Sequence, residues 1–265
     1  MESLAETFRI GRKARVASII SHHKCIGACN HGRSAQTLPF IAEEMAVSRI
    51  GLDVYPYAAS STMLEPLRIA TAARVMIAWS KPHPEATGED FHLWRARAGL
   101  SVEQALEALS PAGAIYFNMD EADVARILAF PATMVGSDGL PHDAHPHPRL
   151  WGTFPRVIGR YARDQRLFPM EEAIRKMTGL TADTFGIVDR GLIAEGHFAD
   201  LVLFDPARII DKASFEQPEL PAEGIVSVWV NGALTFSDGA MTGARAGRAL
   251  RRGIDGALRA LPFAA

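Results

Sequence analysis

Apolar and polar positions change rhythm along the chain in a way that divides it. The opening residues carry Leu4, Ala5 and Phe8 at spacings that build one apolar helix face, with Arg9, Arg12 and Lys13 close behind. A short apolar run, Val16 to Ile20, then stops at Ser21-His22-His23-Lys24, as a strand buried on both faces would. A glycine-containing loop and a helical stretch around Thr37 to Met45 lead to a second strand that ends in Asp53-Val54-Tyr55-Pro56-Tyr57. A third strand is predicted from about Val75 to Trp79, a helical, polar insertion near residues 80–110, and a further strand over Thr133 to Asp138. Strands alternating with helices, each strand ending in polar side chains, predict a parallel α/β barrel or sheet.

The last helix of this series spans Pro169 to Met177 and is closed by a turn at Thr178-Gly179. Beyond it the period shortens. DRGLIAEGHFADLVLFDP and GIVSVWVNGAL alternate apolar and polar residues broken by Gly, Asp and Asn, which predicts antiparallel strands and hairpins. The Arg- and Ala-rich stretch from about Ala244 to Leu258 reads as a helical tail.

Composition narrows the partners. With 265 residues, 48% hydrophobic and 22% charged, the chain suffices for a large core and one small appended domain. Its 28 basic residues nearly balance 30 acidic ones and are scattered, so no nucleic-acid face is indicated and a small-molecule ligand is the default. No apolar run reaches the roughly 20 residues of a membrane span, and the charged start lacks the apolar stretch of a secretory signal, which predicts a cytoplasmic protein. Cys25 and Cys29, the only cysteines, are expected to be free thiols.

Candidate chemistry gathers at the strand ends. On a strand, His22 and Lys24 point to one side and His23 to the other, so an imidazole and an ammonium share a face. A neutral imidazole at a barrel strand end is a good zinc ligand, although a hydrogen-bonded structural histidine fits the same position. Asp138 ends another apolar strand in Gly-Ser-Asp-Gly; there a carboxylate can bind a metal and shuttle a proton, or simply open a turn before Gly139. His142, His145 and His147 are interleaved with prolines and read as loop residues. Arg149 offers two-point recognition of a carboxylate, or a pairing with a local acid.

Several long motifs resemble the N-acyl-D-amino-acid deacylases, or D-aminoacylases, of the amidohydrolase superfamily. They are Ser21 to Lys24, Asn30 with Gly32-Arg33-Ser34, Asp53 to Tyr57, Ser61 to Leu64, Pro111 to Phe117, Gly136 to His142 and His147 to Arg156. The resemblance implies the C-terminal strands of an incomplete (β/α)8 TIM-type barrel over residues 1–188, followed over 189–265 by part of a small β-sandwich and the helical tail. It implies His22 as a zinc ligand, Asp138 as both catalytic aspartate and metal ligand, and Lys24, Tyr55, Ser61 and Arg149 as the residues that hold the substrate α-carboxylate. Cys25, Cys29 and His31 match no functional position.

The implied reaction is metal-dependent hydrolysis of an N-acyl-D-amino acid to a carboxylate and a free D-amino acid. The family's remaining metal donors, a His-x-His pair, a cysteine and a further histidine, have no counterparts in this sequence. A catalytic zinc needs about three protein ligands, so zinc is expected to be held weakly or not at all by this chain alone. The expectations that follow are an inactive fragment completed by a separate N-terminal half chain, a noncatalytic relic, or an amidohydrolase of another amide.

Overall fold

The computed structural model describes residues 1–141 and 143–260. Helix α1 (Glu2–Ala14), strand β1 (Ser18–Ile20), helix α2 (Ser34–Met45) and strand β2 (Ile50–Val54) come first. Strand β3 (Ser60–Met63), helix α3 (Pro66–Thr71), strand β4 (Arg74–Ser80), helices α4 (Phe91–Arg97) and α5 (Val102–Leu109) and strand β5 (Ala112–Phe117) follow. The chain then runs through helix α6 (Glu121–Ala129), strand β6 (Thr133–Val135), and helices α7 (Arg149–Arg156), α8 (Met170–Met177) and α9 (Gly179–Phe185). Strands β7 (Leu201–Phe204), β8 (Ile225–Val230), β9 (Ala233–Ser237), β10 (Ala240–Met241), β11 (Leu250–Arg252) and β12 (Leu258–Ala260) complete it.

β1, β2 and β6 form a parallel sheet in that order, with Ile20 beside Leu52 and Leu52 beside Thr133. Helices cover it because each presents an apolar stripe. Phe8 of α1, Ile41 of α2 and Ile127 of α6 meet Leu52 and Val54 of the central strand in one core. Leu52 is fully buried, so its truncation to Ala costs about 2–5 kcal/mol. Since parallel strands end on the same side, residues 21–24, Tyr55 and Gly136 to Asp138 share one edge of the sheet.

Two expectations need correction. The strand at Val75–Trp79 does not join the parallel series: β4 pairs antiparallel with β5, and β5 antiparallel with β3. Both faces of this second sheet are covered, by α4 and α5 on the side of Val75 and Ile77 and by Ala59 and Phe215 on the side of Met76, Ala78 and Ile115. A doubly covered strand is apolar throughout whatever its direction, which is why the pattern resembled a parallel one. The insertion is thus not merely helical: α4 and α5 lie within it, but three strands carry it.

The second correction concerns the tail. Residues Ala244 to Leu258 are not helical; β11 and β12 form an antiparallel hairpin, Leu250 beside Ala260, turning through Asp255 and Gly256. Glycines at 247, 253 and 256 each cost about 1 kcal/mol in a helix, and Gly256 adopts φ 82° in the turn. Before it, β10-β9-β8-β7 make an antiparallel sheet. Leu201, Val202 and Leu203 on its edge strand are exposed on both faces.

Candidate active site

The site is built from the ends of the parallel strands. β1 stops at Ile20, so His22 and Lys24 lie beyond it rather than on it. His22 adopts a left-handed φ of 41°, a strained conformation for a residue with a side chain. Asp53, one residue before the end of β2, holds this turn twice: its Oδ1 accepts the His22 N–H at 2.7 Å and its carbonyl accepts the His23 N–H at 2.8 Å. Burial raises the Asp53 carboxyl above its usual range, opposed by the His22 N–H bond. The turn sends His23 inward to Thr37 Oγ1 at 2.8 Å, and burial lowers this imidazole to about 4. His22 and Lys24 are left to line one cavity.

That cavity measures about 450 Å³ and brings together His22, Lys24, Ser61, Asp138 and Arg149. Tyr55 lies beneath them, buried, with Lys24 Nζ donating to its hydroxyl at 2.9 Å and the Arg149 guanidinium 4.5 Å from its ring centre. Burial and the neighbouring Arg149 depress Lys24 to about 8, while burial raises the Tyr55 phenol. Ser61 comes from β3, so the inserted sheet supplies one wall. The tetrad read as a carboxylate cradle therefore converges, drawn from the segments that follow β1 and β2, from β3 and from the start of α7.

Arg149 is the most constrained of them. It opens α7, is 1% exposed, and forms an ion pair through Nη2 with Asp138 Oδ2 at 3.0 Å. Its Nε and Nη1 are buried without hydrogen-bond partners. Burying polar donors unpaired costs about 1–3 kcal/mol each, so the guanidinium is arranged for a ligand that supplies acceptors. His147 fixes its backbone: the Arg149 N–H donates to His147 Nδ1 at 3.0 Å, which leaves Nε2–H to donate to Ala59 O at 3.1 Å. Burial lowers His147 well below the usual imidazole range, consistent with this neutral tautomer. His145 likewise bonds Phe215 O, at 2.7 Å, whereas His142 lies outside the described residues.

Asp53, His147, Arg68 and Trp79 were given no role from the sequence. Asp53 stands in a recognised motif and His147 in the loop; Arg68 and Trp79 reach the cavity from the inserted unit, where no local pattern marks them. With Lys24, Arg68 and Arg149 on its walls against Asp138 and Asp143, the cavity suits an anion.

A divalent metal is tested by the donors present. His22 and Asp138 are apt in type, but among the described residues no three His, Cys, Asp or Glu side chains stand together as a metal-holding group. Asp138 is also engaged by Arg149. These residues do not by themselves fit a complete catalytic metal centre.

Comparison with known proteins gives the family. Residues 89–236 match the model of a family described as the amidohydrolase family. The chain is 57% identical over 250 residues to a D-aminoacylase of Alcaligenes xylosoxydans xylosoxydans, covering 94% of this chain and 52% of that protein. A crystal structure of D-aminoacylase superimposes with a TM-score of 0.90 at 54% identity, over 93% of this chain and 52% of that one. An N-acyl-D-glutamate deacylase from Bordetella bronchiseptica, solved with zinc and a phosphonate mimic of the reaction's tetrahedral intermediate, gives 0.86 at 47% identity over 89% and 50%. The chain spans about half the length of the relatives it matches.

Proposed function

The chain belongs to the amidohydrolase family, and from that premise we propose that it is the C-terminal catalytic part of a metal-dependent deacylase of N-acyl-D-amino acids. In this reading the three parallel strands are part of an incomplete (β/α)8 barrel, and β7 to β10 are part of a small sandwich. The observation that carries it is Arg149: a buried guanidinium with two unpartnered donors, beside Lys24 and Tyr55 and in contact with Asp138. Such a cradle fits an α-carboxylate, with the guanidinium gripping in two-point fashion and the hydroxyls of Tyr55 and Ser61 directing orientation.

Held by its carboxylate, the substrate presents its amide beside Asp138. Water adds to the carbonyl carbon, Asp138 takes the proton from that water, and the C–N bond breaks as the same carboxyl delivers the proton to the departing nitrogen. The products are a carboxylate and a D-amino acid. His22 and Asp138 would be two donors to a metal, which would activate water and polarise the carbonyl, with the remaining donors supplied by a separate N-terminal half chain. Unaided, the chain is expected to bind ligand and zinc weakly and not to turn over; the plainer alternative is that the isolated chain is a noncatalytic partner.

The test is a pair of measurements. Calorimetric titration of the chain with N-acetyl-D- and N-acetyl-L-amino acids is expected to show binding that Arg149→Ala removes and that favours the D form. Mixing with a polypeptide that supplies the other half of a D-aminoacylase is expected to yield zinc uptake and amine release. Equal binding of both enantiomers, or a zinc-loaded assembly that hydrolyses no N-acyl-D-amino acid, would overturn the reading.

A further inference from the structure

The cavity also has a lining residue, Trp79, that the carboxylate cradle does not use, and its placement begins with an irregularity in β4. Opposite β5, Ile77 pairs with Ala114, but the register then shifts so that Trp79, two residues on, pairs with Gly113. In a regular strand Trp79 would repeat the direction of Ile77, into the core beneath α4 and α5. The bulge turns it to the opposite face, where it packs with Met76, Ala78 and Ile115 and reaches the cavity.

Gly113 makes that position available. A Cβ built on it would fall 2.3 Å from the indole Nε1 and 2.9 Å from Cδ1 and Cε2, so the ring lies directly on the glycine backbone. Met63 from β3 and Leu140 from the segment after β6 line the same cavity, both partly exposed. Three apolar side chains from separate elements thus line the cavity together with the polar Lys24, Asp138 and Arg149. An indole face is a stiff, large surface suited to an apolar tail.

We propose that Trp79, seated on Gly113, is the end wall of the cavity and sets the length of the apolar group that a carboxylate ligand of this site accommodates. The assignment rests on the deacylase reading for the identity of the ligand, where the apolar group is either the N-acyl chain or the amino-acid side chain. Trp79 acts by excluding length and takes no part in the bond-breaking step.

The experiment uses calorimetry on the chain with three ligand series: N-acyl-D-alanines of increasing acyl length, N-acetyl-D-amino acids of increasing side-chain length, and simple n-alkyl carboxylates. Affinity is expected to rise by about fourfold per methylene and then level off. Trp79→Ala is expected to move that limit out by at least two methylenes, strengthening binding of the longer ligands by about tenfold or more. Gly113→Ala is expected to push the indole inward and shorten the limit, and Trp79→Phe to fall between wild type and Trp79→Ala, which keeps the test valid if the glycine variant fails to fold. The series that responds identifies the group facing Trp79. A limit unmoved by Trp79→Ala in all three series, or no binding of any carboxylate, overturns the assignment. If alkyl carboxylates show the Trp79-dependent limit while N-acyl-D-amino acids do not bind, the deacylase reading fails and the end wall stands.

Discussion

Asp138 Oδ2 lies 3.0 Å from Arg149 Nη2, so the carboxylate proposed for proton transfer is the internal counter-ion of the guanidinium proposed for ligand binding. Their exposures differ: the arginine side chain is 1% and the aspartate 34% accessible. The guanidinium is fixed and the carboxylate faces the cavity. An incoming carboxylate can use the unpartnered Nε and Nη1, but it does so beside a negative charge already in place.

Neutralising that charge is expected to tighten anion binding by the isolated chain. Asp138→Asn keeps the shape and removes the competing anion, so affinity for simple carboxylates should rise by about three- to thirtyfold, roughly 1–2 kcal/mol. Calorimetry at constant ionic strength measures it, and weaker binding would show that Asp138 positions Arg149 more than it competes with the ligand. In an assembled, metal-loaded enzyme the same variant should instead lose kcat, because an amide does not shuttle a proton.

Asp53 separates hydrogen bonding from charge. Its Oδ1 accepts the His22 N–H within a turn at φ 41°, and an asparagine carbonyl can accept the same bond. Asp53→Asn is therefore expected to retain stability to within about 1 kcal/mol, and Asp53→Ala to lose about 1–3 kcal/mol and leave the strained turn unsupported. Urea denaturation of both variants checks this. Equal losses would show that the charge, rather than the bond, holds the turn.

How legible this arrangement was depends on where its information lies. The polar ends of β2 and β6 were readable because mostly buried apolar strands stop abruptly at polar residues, whereas β1, expected to be buried on both faces, is an edge strand that is only partly buried and leaves Val16 exposed. Lys24, Tyr55, Ser61, Asp138 and Arg149 stand out in the sequence through motifs that place several polar residues within a few positions, and the fold gathers them at one cavity. Strand direction in the inserted sheet was not readable: β4 and β5 are apolar on both faces for reasons of coverage, and pairing direction leaves no local trace. Trp79 was invisible for a related reason, since it reaches the cavity only through a bulge and through the absence of a side chain at Gly113, far along the chain. The tail reads as helical because its Arg and Ala content outweighs three interrupting glycines.

Beneath the site, Arg156 donates to Asp211 Oδ2 at 2.9 Å and to Pro56 O at 2.8 Å, and its guanidinium sits 4.5 Å from the Tyr57 ring centre. The pair ties the segment after β7 to the loop that ends β2. Asp211→Ala leaves a largely buried guanidinium uncompensated and is expected to cost about 3–5 kcal/mol. For a chain of this size that lowers Tm by about 10 °C. Calorimetric melting tests it, and a shift of only a degree or two would show that water reaches Arg156.

Acid should destabilise the fold through its buried imidazoles. His23 is lowered to about 4 in the fold from an ordinary value of 6.5, and burial also lowers His147. Unfolded, both take up a proton near 6.5, so the unfolded chain binds more protons between that value and the folded one. Stability is fully present above about pH 6.5 and is lost as pH falls toward 4, by roughly 2–3 kcal/mol for His23. His23→Gln, which can still pair with Thr37, should flatten the part of this slope that belongs to residue 23 in urea titrations from pH 7 to 4.5. An unchanged slope would place the acid sensitivity elsewhere.

Lys24 gives the site a second, alkaline dependence of opposite character with and without ligand. Burial, then Arg149, depress it to about 8, so the ammonium is the disfavoured form in the fold although Tyr55 accepts its hydrogen bond. Without ligand, the unfolded chain holds this proton up to about 10.5 and the folded chain only to about 8, so stability rises with pH across that window. An anionic ligand reverses the preference by favouring the ammonium. Carboxylate affinity is therefore expected to be flat below about pH 8 and to fall as pH rises above it, whereas Lys24→Met should bind more weakly at neutral pH and show no such fall. Because Lys24 and Arg149 repel each other and share one ligand, the double variant Lys24→Met/Arg149→Ala should lose less binding energy than the two single losses summed. Calorimetric titrations of wild type and the three variants from pH 6.5 to 9.5 measure both effects. A pH-independent wild type would remove the ammonium from the cradle, and strict additivity would mean that the two cations do not hold the same carboxylate.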